Sequence, residues 1–378
     1  MPFSKDADLA EASSRHREPR LKPALRRLYG LALGSHVFLT ARRRAGQPRV
    51  YYAGARAGDV GGPLVKVKRL MAYFPQRLWN YNLVYALSNA AYLPASAVRT
   101  LSRRGVAIVH NQDGVFYHAW YGGDWRAANA AMSVTYHAAN HVFWQSEFCR
   151  RAADRFLGPR RGGGEVLYNA VDTERFRPAR AAGARRGTLR LLMTGKFDRH
   201  IFYRLESTIR AVALARRRGL EASLACAGWV QPEALAAAER LAAELGISGA
   251  VAFTGAYSQE EAPAVYRAAD VYITTKHMDP CPNAVLEAMA TGLPVIYSAS
   301  GGVRELVGAG GIGLDAPENW DRIITPSEDA IATALEAVAG RAAELGRVAR
   351  ERAVTKFDLK RWIERHRAVF SRVLEATA

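Results

Sequence analysis

Twice along this chain a series of short apolar runs alternates with stretches of helical period, and an Arg/Ala/Gly-rich segment separates the two series. The first series reads RVYYAG, NLVYALS, VAIVH, HVFWQ and EVLYN, and the second reads LRLLMTG, ASLACAG, AVAFTG, VYITT and LPVIYS. Continuous runs of β-branched and aromatic residues suit strands buried on both faces, which is the condition of a parallel sheet covered by helices. Helical period fills the gaps over Leu64–Tyr73, Ala95–Arg103, Trp125–Ala138 and Glu147–Phe156, then over Leu205–Arg217, Pro232–Leu245, Gln259–Ala268 and Asn283–Ala290. The expected fold is therefore α/β, with two Rossmann-like, doubly wound domains. Sheets of this kind hold ligands outside the carboxyl ends of their strands.

A chain of 378 residues has room for two such domains. The run FRPARAAGARRGT, Phe176 to Thr188, has no hydrophobic period and marks the boundary. The expected division is a basic extension over 1–48, an N-terminal Rossmann-like domain over 49–180, a C-terminal one over 181–355 and a final helix over 356–378. One helix is expected inside the extension, near Pro23 to Leu39, and long helical runs cover Ser327–Phe357 and Lys360–Ala376.

Composition narrows the class further. A hydrophobic fraction of 49% with 23% charged residues belongs to a globular chain. The longest apolar stretch, Leu28 to Leu39, is interrupted by Gly30, Gly34, Ser35 and His36, so no membrane-spanning helix is expected. Acids and polar groups occupy the first residues where an export signal needs an apolar centre, which points to the cytoplasm. The 3 cysteines, Cys149, Cys226 and Cys281, form no C-x-x-C pair, against a disulfide framework or a zinc site. The net charge of +18 attracts anions, but no nucleic-acid-binding motif accompanies it, so no nucleic acid partner is expected. Lys22, Arg26, Arg27, Arg42, Arg43 and Arg44 flank the short apolar segment. That layout suits a helix lying on an anionic membrane surface, and equally an ordinary packed helix with solvated arginines.

The chemistry concentrates between His277 and Leu306, HMDPCPNAVLEAMATGLPVIYSASGGVREL. Asn283 is expected to cap a helix over AVLEAMA, which Gly292 and Pro294 close. The loop ending in Pro282 thus delivers the chain to a helix amino terminus, where the free N–H groups of Asn283 and Ala284 and the helix dipole can seat a diphosphate. Glu287, one turn in, can reach a ribose, while Asp279, ahead of the helix, faces another part of the same ligand. An N-cap loop, a surface Asp and a core-edge Glu would carry the same spacing.

DPCPNAVLEAMATGLPVI followed by Ser300-Gly301-Gly302 and Glu305 closely resembles the donor motif of retaining GT-B glycosyltransferases of family four. LYNAVDTERFRP resembles that family's interdomain segment, with Ala170 in place of the usual Gly, and WQSEFCRRAADRF resembles its Ser-Glu-Phe helix start. FTGAYSQEEAPAVYRAADVYITT matches the strand, loop and helix that precede the motif, so the resemblance runs from Val50 onward. It implies two facing domains, a cleft between them and a final helix crossing back to the first.

The resemblance also implies secondary site residues. A Gly-Arg pair and a following Lys clamp the donor diphosphate in that family; this chain has Gly195-Lys196, and of Arg199 and Arg204, both in reach, Arg204 is taken as the second cation although Tyr203 aligns better by spacing. Lys keeps the charge but loses the planar fork of Arg. Gly61-Gly62 resembles the family's glycine turn near the donor phosphates. His110, after VAIV, is expected to bond the transferred sugar, with Asn111, Gln112 and Asp113 beside it. No Asp-x-Asp metal pair stands at a strand end, so the resemblance implies transfer without metal or cofactor, from a nucleotide-diphosphate sugar to a saccharide or lipid-linked acceptor. An epimerase of the same architecture and a non-catalytic membrane-docking relative stay open as alternatives.

Overall fold

The computed structural model describes residues 22–59, 61–90, 92–179 and 187–377. The first part of the expected extension (1–21) and the centre of the linker (180–186) lie outside the described residues. The chain divides into two compact units: an N-unit of residues 22–117, Gly123–Asn169 and 359–377, and a C-unit of His118–Gly122 and Ala170–Asp358. The division comes earlier than the linker because Val171 already donates to the Phe357 carbonyl at 2.8 Å and bridges to Asp358. His118–Gly122 joins the C-unit through the Ala119 N–H, which donates to Trp320 O at 2.9 Å.

The N-unit begins with helix α1 (Lys22–Thr40), then β1 (Val50–Tyr51), α2 (Gly62–Met71), β2 (Leu83–Leu87), α3 (Ala95–Arg103), β3 (Ala107–Gln112), α4 (Trp125–Ala138), β4 (His141–Trp144), α5 (Glu147–Leu157) and β5 (Gly163–Val166). Its parallel sheet runs β1-β2-β3-β4-β5, in chain order. Leu33, Val37 and Ala41 are buried in one core cluster with Val84, Ile108, Val98 and Leu101. Described residues of the expected extension are thus part of the fold, because one face of α1 closes the core.

The C-unit contains β6 (Leu189–Thr194), α6 (Phe202–Arg217), β7 (Ala222–Ala227), α7 (Pro232–Glu244), β8 (Val251–Gly255), α8 (Ala262–Arg267), β9 (Val271–Thr274), α9 (Asn283–Ala290), β10 (Val295–Ser298), α10 (Val303–Val307), β11 (Gly311–Leu314), α11 (Glu328–Ala339) and α12 (Ala342–Lys356). Its parallel sheet runs β11-β10-β9-β6-β7-β8. The order reverses between β6 and β9, so a crevice opens at their carboxyl ends. The long helical run expected over Ser327–Phe357 is two helices, broken where Gly340 and Arg341 leave the helix.

The last helix, α13 (Leu359–Thr377), belongs to the N-unit. It covers one sheet face there: His366 lies 3.1 Å from the Tyr85 hydroxyl, and the Phe370 ring sits 5.9 Å from that of Tyr85. Both units are thus α/β with parallel sheets, and the winding separates them.

Candidate active site

The crevice of the C-unit is lined by loops that leave β6, β9 and β10. After β9 the chain passes through Met278 with φ of 50°, a left-handed conformation that a long side chain adopts only when its surroundings hold it. Those surroundings are the Ser300-Gly301-Gly302 turn. Ser300 Oγ accepts from Met278 N at 3.0 Å, and Gly302 N donates to Asp279 O at 3.0 Å. A Cβ on Gly301 would stand 2.7 Å from Asp279 O and from Met278 C, and its φ is +77°. Only glycine lets the two loops close, so the Gly-Gly segment of the motif is a clamp on Asp279.

Other contacts fix the same loop. Lys276 Nζ reaches Asp279 Oδ2 at 2.8 Å. His277 Nε2 lies 2.9 Å from Asn319 O, and Ile324 N donates to its Nδ1 at 3.4 Å. The two carbonyl and amide partners assign the proton to Nε2, and burial lowers this histidine's pKa, so the ring stays neutral. Its backbone N–H donates to the Tyr203 hydroxyl at 3.1 Å. Tyr203, at the position where the resemblance expects a Lys, thus supports the Asp279 loop.

Helix α9 differs from its expected start by one residue. Pro282 occupies the N-cap position with extended backbone, and Asn283 opens the helix. Proline already fixes the extended geometry there, so no side-chain cap is made, and Asn283 Oδ1 is buried without a partner among the described residues. The amides of Asn283 and Ala284 open the first turn, whose N–H groups lack intrahelical acceptors. Glu287 follows one turn later, 7% exposed, and accepts the Tyr266 hydroxyl at 3.0 Å. Burial and the neighbouring Glu287 carboxylate drive the Tyr266 phenol pKa well upward, so it remains a donor. The sequence reading missed Tyr266 and Lys276, since neither stands inside the motif.

On the β6 side three glycines bring loops together. A Cβ on Gly228 would collide with Gly195 O at 1.8 Å, and Gly228 N donates to Gly255 O at 2.8 Å. Lys196 then projects over the Trp229 ring, with Nζ 4.8 Å from its centroid. Arg204 is 5% exposed, packs its guanidinium over Phe197 at 5.3 Å and donates to Thr194 O at 3.5 Å. A phosphate-binding reading of Arg204 therefore competes with this packing role. Its Nη1 lies 3.3 Å from the Cβ position of Gly195, so the charge does sit under the loop.

The remaining predicted residues belong to the N-unit. Gly61 precedes α2 with φ of 91°, and nothing lies within 4 Å of its Cβ position, so backbone conformation alone calls for glycine. Gly62 begins the helix. His110 needs a correction. It was expected beyond the strand end, but β3 continues to Gln112 and pairs His110 with Ala86 and Val142. Its ring is fully buried against Tyr136, with Nε2 2.9 Å from Gln112 Oε1. Burial lowers its pKa to about 4. Its Nδ1 has no hydrogen-bond partner among the described residues.

The fold defines a class. Over 82% of both chains it matches the Anabaena protein Alr3699/HepE, solved in complex with UDP, with a TM-score of 0.64 at 17% identity, and this GT-B arrangement is what both sheets display. Residues 179–347, within the C-unit, match the family described as Glycosyl transferases group 1. Two curated relatives are similar over shorter spans. The D-inositol 3-phosphate glycosyltransferase of Streptomyces avermitilis is 30% identical over 204 residues, 48% of this chain and 42% of its own. The GDP-mannose-dependent alpha-(1-6)-phosphatidylinositol monomannoside mannosyltransferase of Mycolicibacterium smegmatis is 31% identical over 241 residues, 57% of this chain and 60% of its own. The chain thus spans about half the length of these relatives.

Proposed function

We propose that the protein is a retaining glycosyltransferase that moves a sugar from a nucleoside-diphosphate sugar to an acceptor hydroxyl without a catalytic metal. One observation carries the reading. The amino terminus of α9, with Asp279 before it and Glu287 inside it, lies beside the reversal of strand order, and a glycine clamp holds the Asp279 loop. Glu287 takes the ribose. Lys196, Arg204 and the Asn283 and Ala284 amides after Pro282 take the diphosphate, and Asp279 orients sugar hydroxyls. Cations and helix amides supply the charge that a metal provides elsewhere.

In the transfer, the acceptor oxygen bonds to the anomeric carbon from the face the diphosphate leaves. The bond from that carbon to the phosphate oxygen breaks, its electron pair stays on the diphosphate, and the acceptor proton follows. Gly61 and Gly62 are assigned to phosphate contact through their backbone. His110 is assigned a positioning role through Gln112. The names of the relatives support a polyol or saccharide acceptor, free or lipid-linked. We further place this work in cell-surface glycoconjugate synthesis at the cytoplasmic face of a membrane.

The test is titration calorimetry with UDP- and GDP-sugars, then turnover with and without EDTA. The expected result is binding of a nucleotide sugar that Glu287→Ala removes, and turnover that EDTA leaves intact. Absence of binding to every donor, or unchanged binding by Glu287→Ala, overturns the site. Conversion of the sugar without release of nucleoside diphosphate in an acceptor-free incubation overturns transfer in favour of epimerisation.

A further inference from the structure

Helix α1 is apolar on two opposite sides, and the fold uses one of them. Leu33, Val37 and Ala41 point into the N-unit core. Leu25, Leu28, Leu31, Phe38 and Leu39 are between 62% and 67% exposed. At about 100° per residue these five fall on an arc opposite the buried one. A helix that is apolar all round is ordinarily buried, in a core or in lipid, so the outward face needs a cover. Trp79 extends the patch: it is 64% exposed and its ring sits 5.6 Å from that of His36 on the flank of the helix.

Charge says what the cover is. Between Lys22 and Gln112 the sequence has a single carboxylate, Asp59, and Lys68 pairs with it. Arg42, Arg43 and Arg44 follow the helix directly and are exposed. Arg104 lies over the Phe38 ring at 5.1 Å and donates to the Phe38 and Ala41 carbonyls, so a cation is built into the edge of the apolar strip. The same helix layer carries an open hollow of about 380 Å³ between α3 and α4, lined by Arg99 and Arg103 beside Val98 and Val134. An apolar strip rimmed by arginine, with an indole at its side, is complementary to acyl chains beneath anionic headgroups. No described helix is long and apolar enough to cross a membrane.

We propose that the outward face of α1, with Trp79 and the arginines of 42–44 and 104, docks the protein on an anionic lipid bilayer. This extends the peripheral placement above by naming the face and the lipid class, and it stands apart from donor binding. The strip enters the acyl boundary and the arginines meet phosphate headgroups.

Flotation of the full chain with phosphatidylcholine vesicles, with and without phosphatidylglycerol, tests it. Binding to the anionic vesicles is expected to exceed binding to the neutral ones by at least tenfold, and to weaken in high salt. The pair L28D and F38D, both at exposed positions, is expected to cut binding at least tenfold while nucleotide-sugar titration stays unchanged. Failure of the wild type to float, or unaltered flotation of the double variant, overturns the proposal. So does a concentration-dependent dimer on gel filtration that L28D/F38D abolishes, since a second copy is then the cover. Retention of duplex DNA at the same salt, with no vesicle binding, assigns the charge to nucleic acid and overturns it as well.

Discussion

The two units share a construction and differ in what they do with the carboxyl ends of their strands. In the C-unit the strand order reverses between β6 and β9, and the ends carry loops with a helix amino terminus, Lys196, Asp279 and Glu287 around them. In the N-unit the sheet runs in chain order, and its strand ends hold a buried polar chain. Lys66 Nζ donates to Asn111 Oδ1 at 2.5 Å, Gln145 Nε2 donates to the same oxygen at 3.1 Å, and Asn169 Nδ2 donates to Gln145 Oε1 at 2.9 Å. The first turn of α9 in the C-unit has N–H groups without intrahelical acceptors, whereas this N-unit chain of polar groups is satisfied internally. In the proposed reading, winding order more than composition decides which of two similar sheets can present an anion site.

The largest effect that sharpens this contrast is on Glu287. Its replacement by Ala is expected to lower kcat/KM for the donor by about 100-fold or more, roughly 2.7 kcal/mol of lost stabilisation. Glu287→Gln keeps the acceptor for Tyr266 and separates ribose binding from packing. Its folding should match the wild type in a thermal melt while donor affinity still falls. Near-normal kinetics for both variants would place the donor away from α9.

Acid is expected to strike the N-unit first. Burial lowers His110 to about 4 and His366 to about 3, and both are 0% exposed. His141 moves the same way, to about 4. These folded pKa values lie below the ordinary one near 6.5. The stability they contribute is therefore complete above that value and is lost as pH falls toward 4, where the unfolded chain takes up protons the fold refuses. Each fully buried ring costs up to about 1.4 kcal/mol per pH unit in that window. Hydrogen exchange corrected for pH should show β3 and α13 losing protection between pH 7 and 5 faster than β6 and β9. Equal losses in the two units would remove the distinction.

Gly301→Ala is expected to cost about 1–3 kcal/mol, from the left-handed conformation and the collision with the Asp279 loop. Donor affinity should drop with the melting temperature, since the clamp and the site are one structure. A variant with normal stability and weaker binding would show the loop shifting to absorb the methyl.

Legibility in the sequence follows the same physics. Most strands from NLVYALS to LPVIYS were readable because buried parallel strands are apolar throughout, but β5 is GGEV (Gly163–Val166), exposed or half-buried and two residues ahead of the expected EVLYN. β11 was missed because GIGL, with two glycines, has little β propensity; Gly311 is kept by Val295 O, which lies 2.0 Å from its Cβ position. The carboxylates of the motif were readable from order and spacing. What supports them was not: Tyr266 reaches Glu287 from another helix, and Tyr203 meets the His277 amide from 74 positions away. His110 was misplaced because a polar run, His110-Asn111-Gln112, looks like a strand end. Tertiary partners, including Met132 beside Gln112 at 3.2 Å, keep it inside the sheet.

The smallest expected effect concerns the residue beside Gly195. Lys196 is exposed and holds a cation over the half-exposed Trp229 ring, so in the proposed site it would meet the donor phosphate as a point charge. Lys196→Arg replaces that point with a planar fork able to bond two phosphate oxygens and to stack on the same indole. Donor KM is expected to fall two- to fivefold with kcat nearly unchanged, because the diphosphate is bound in ground and transition states alike. Lys196→Met keeps the stem without the charge and should raise KM by a similar factor. The two changes run in opposite directions only if a phosphate sits at this corner of the C-unit; parallel changes would show that the side chain serves Trp229 alone.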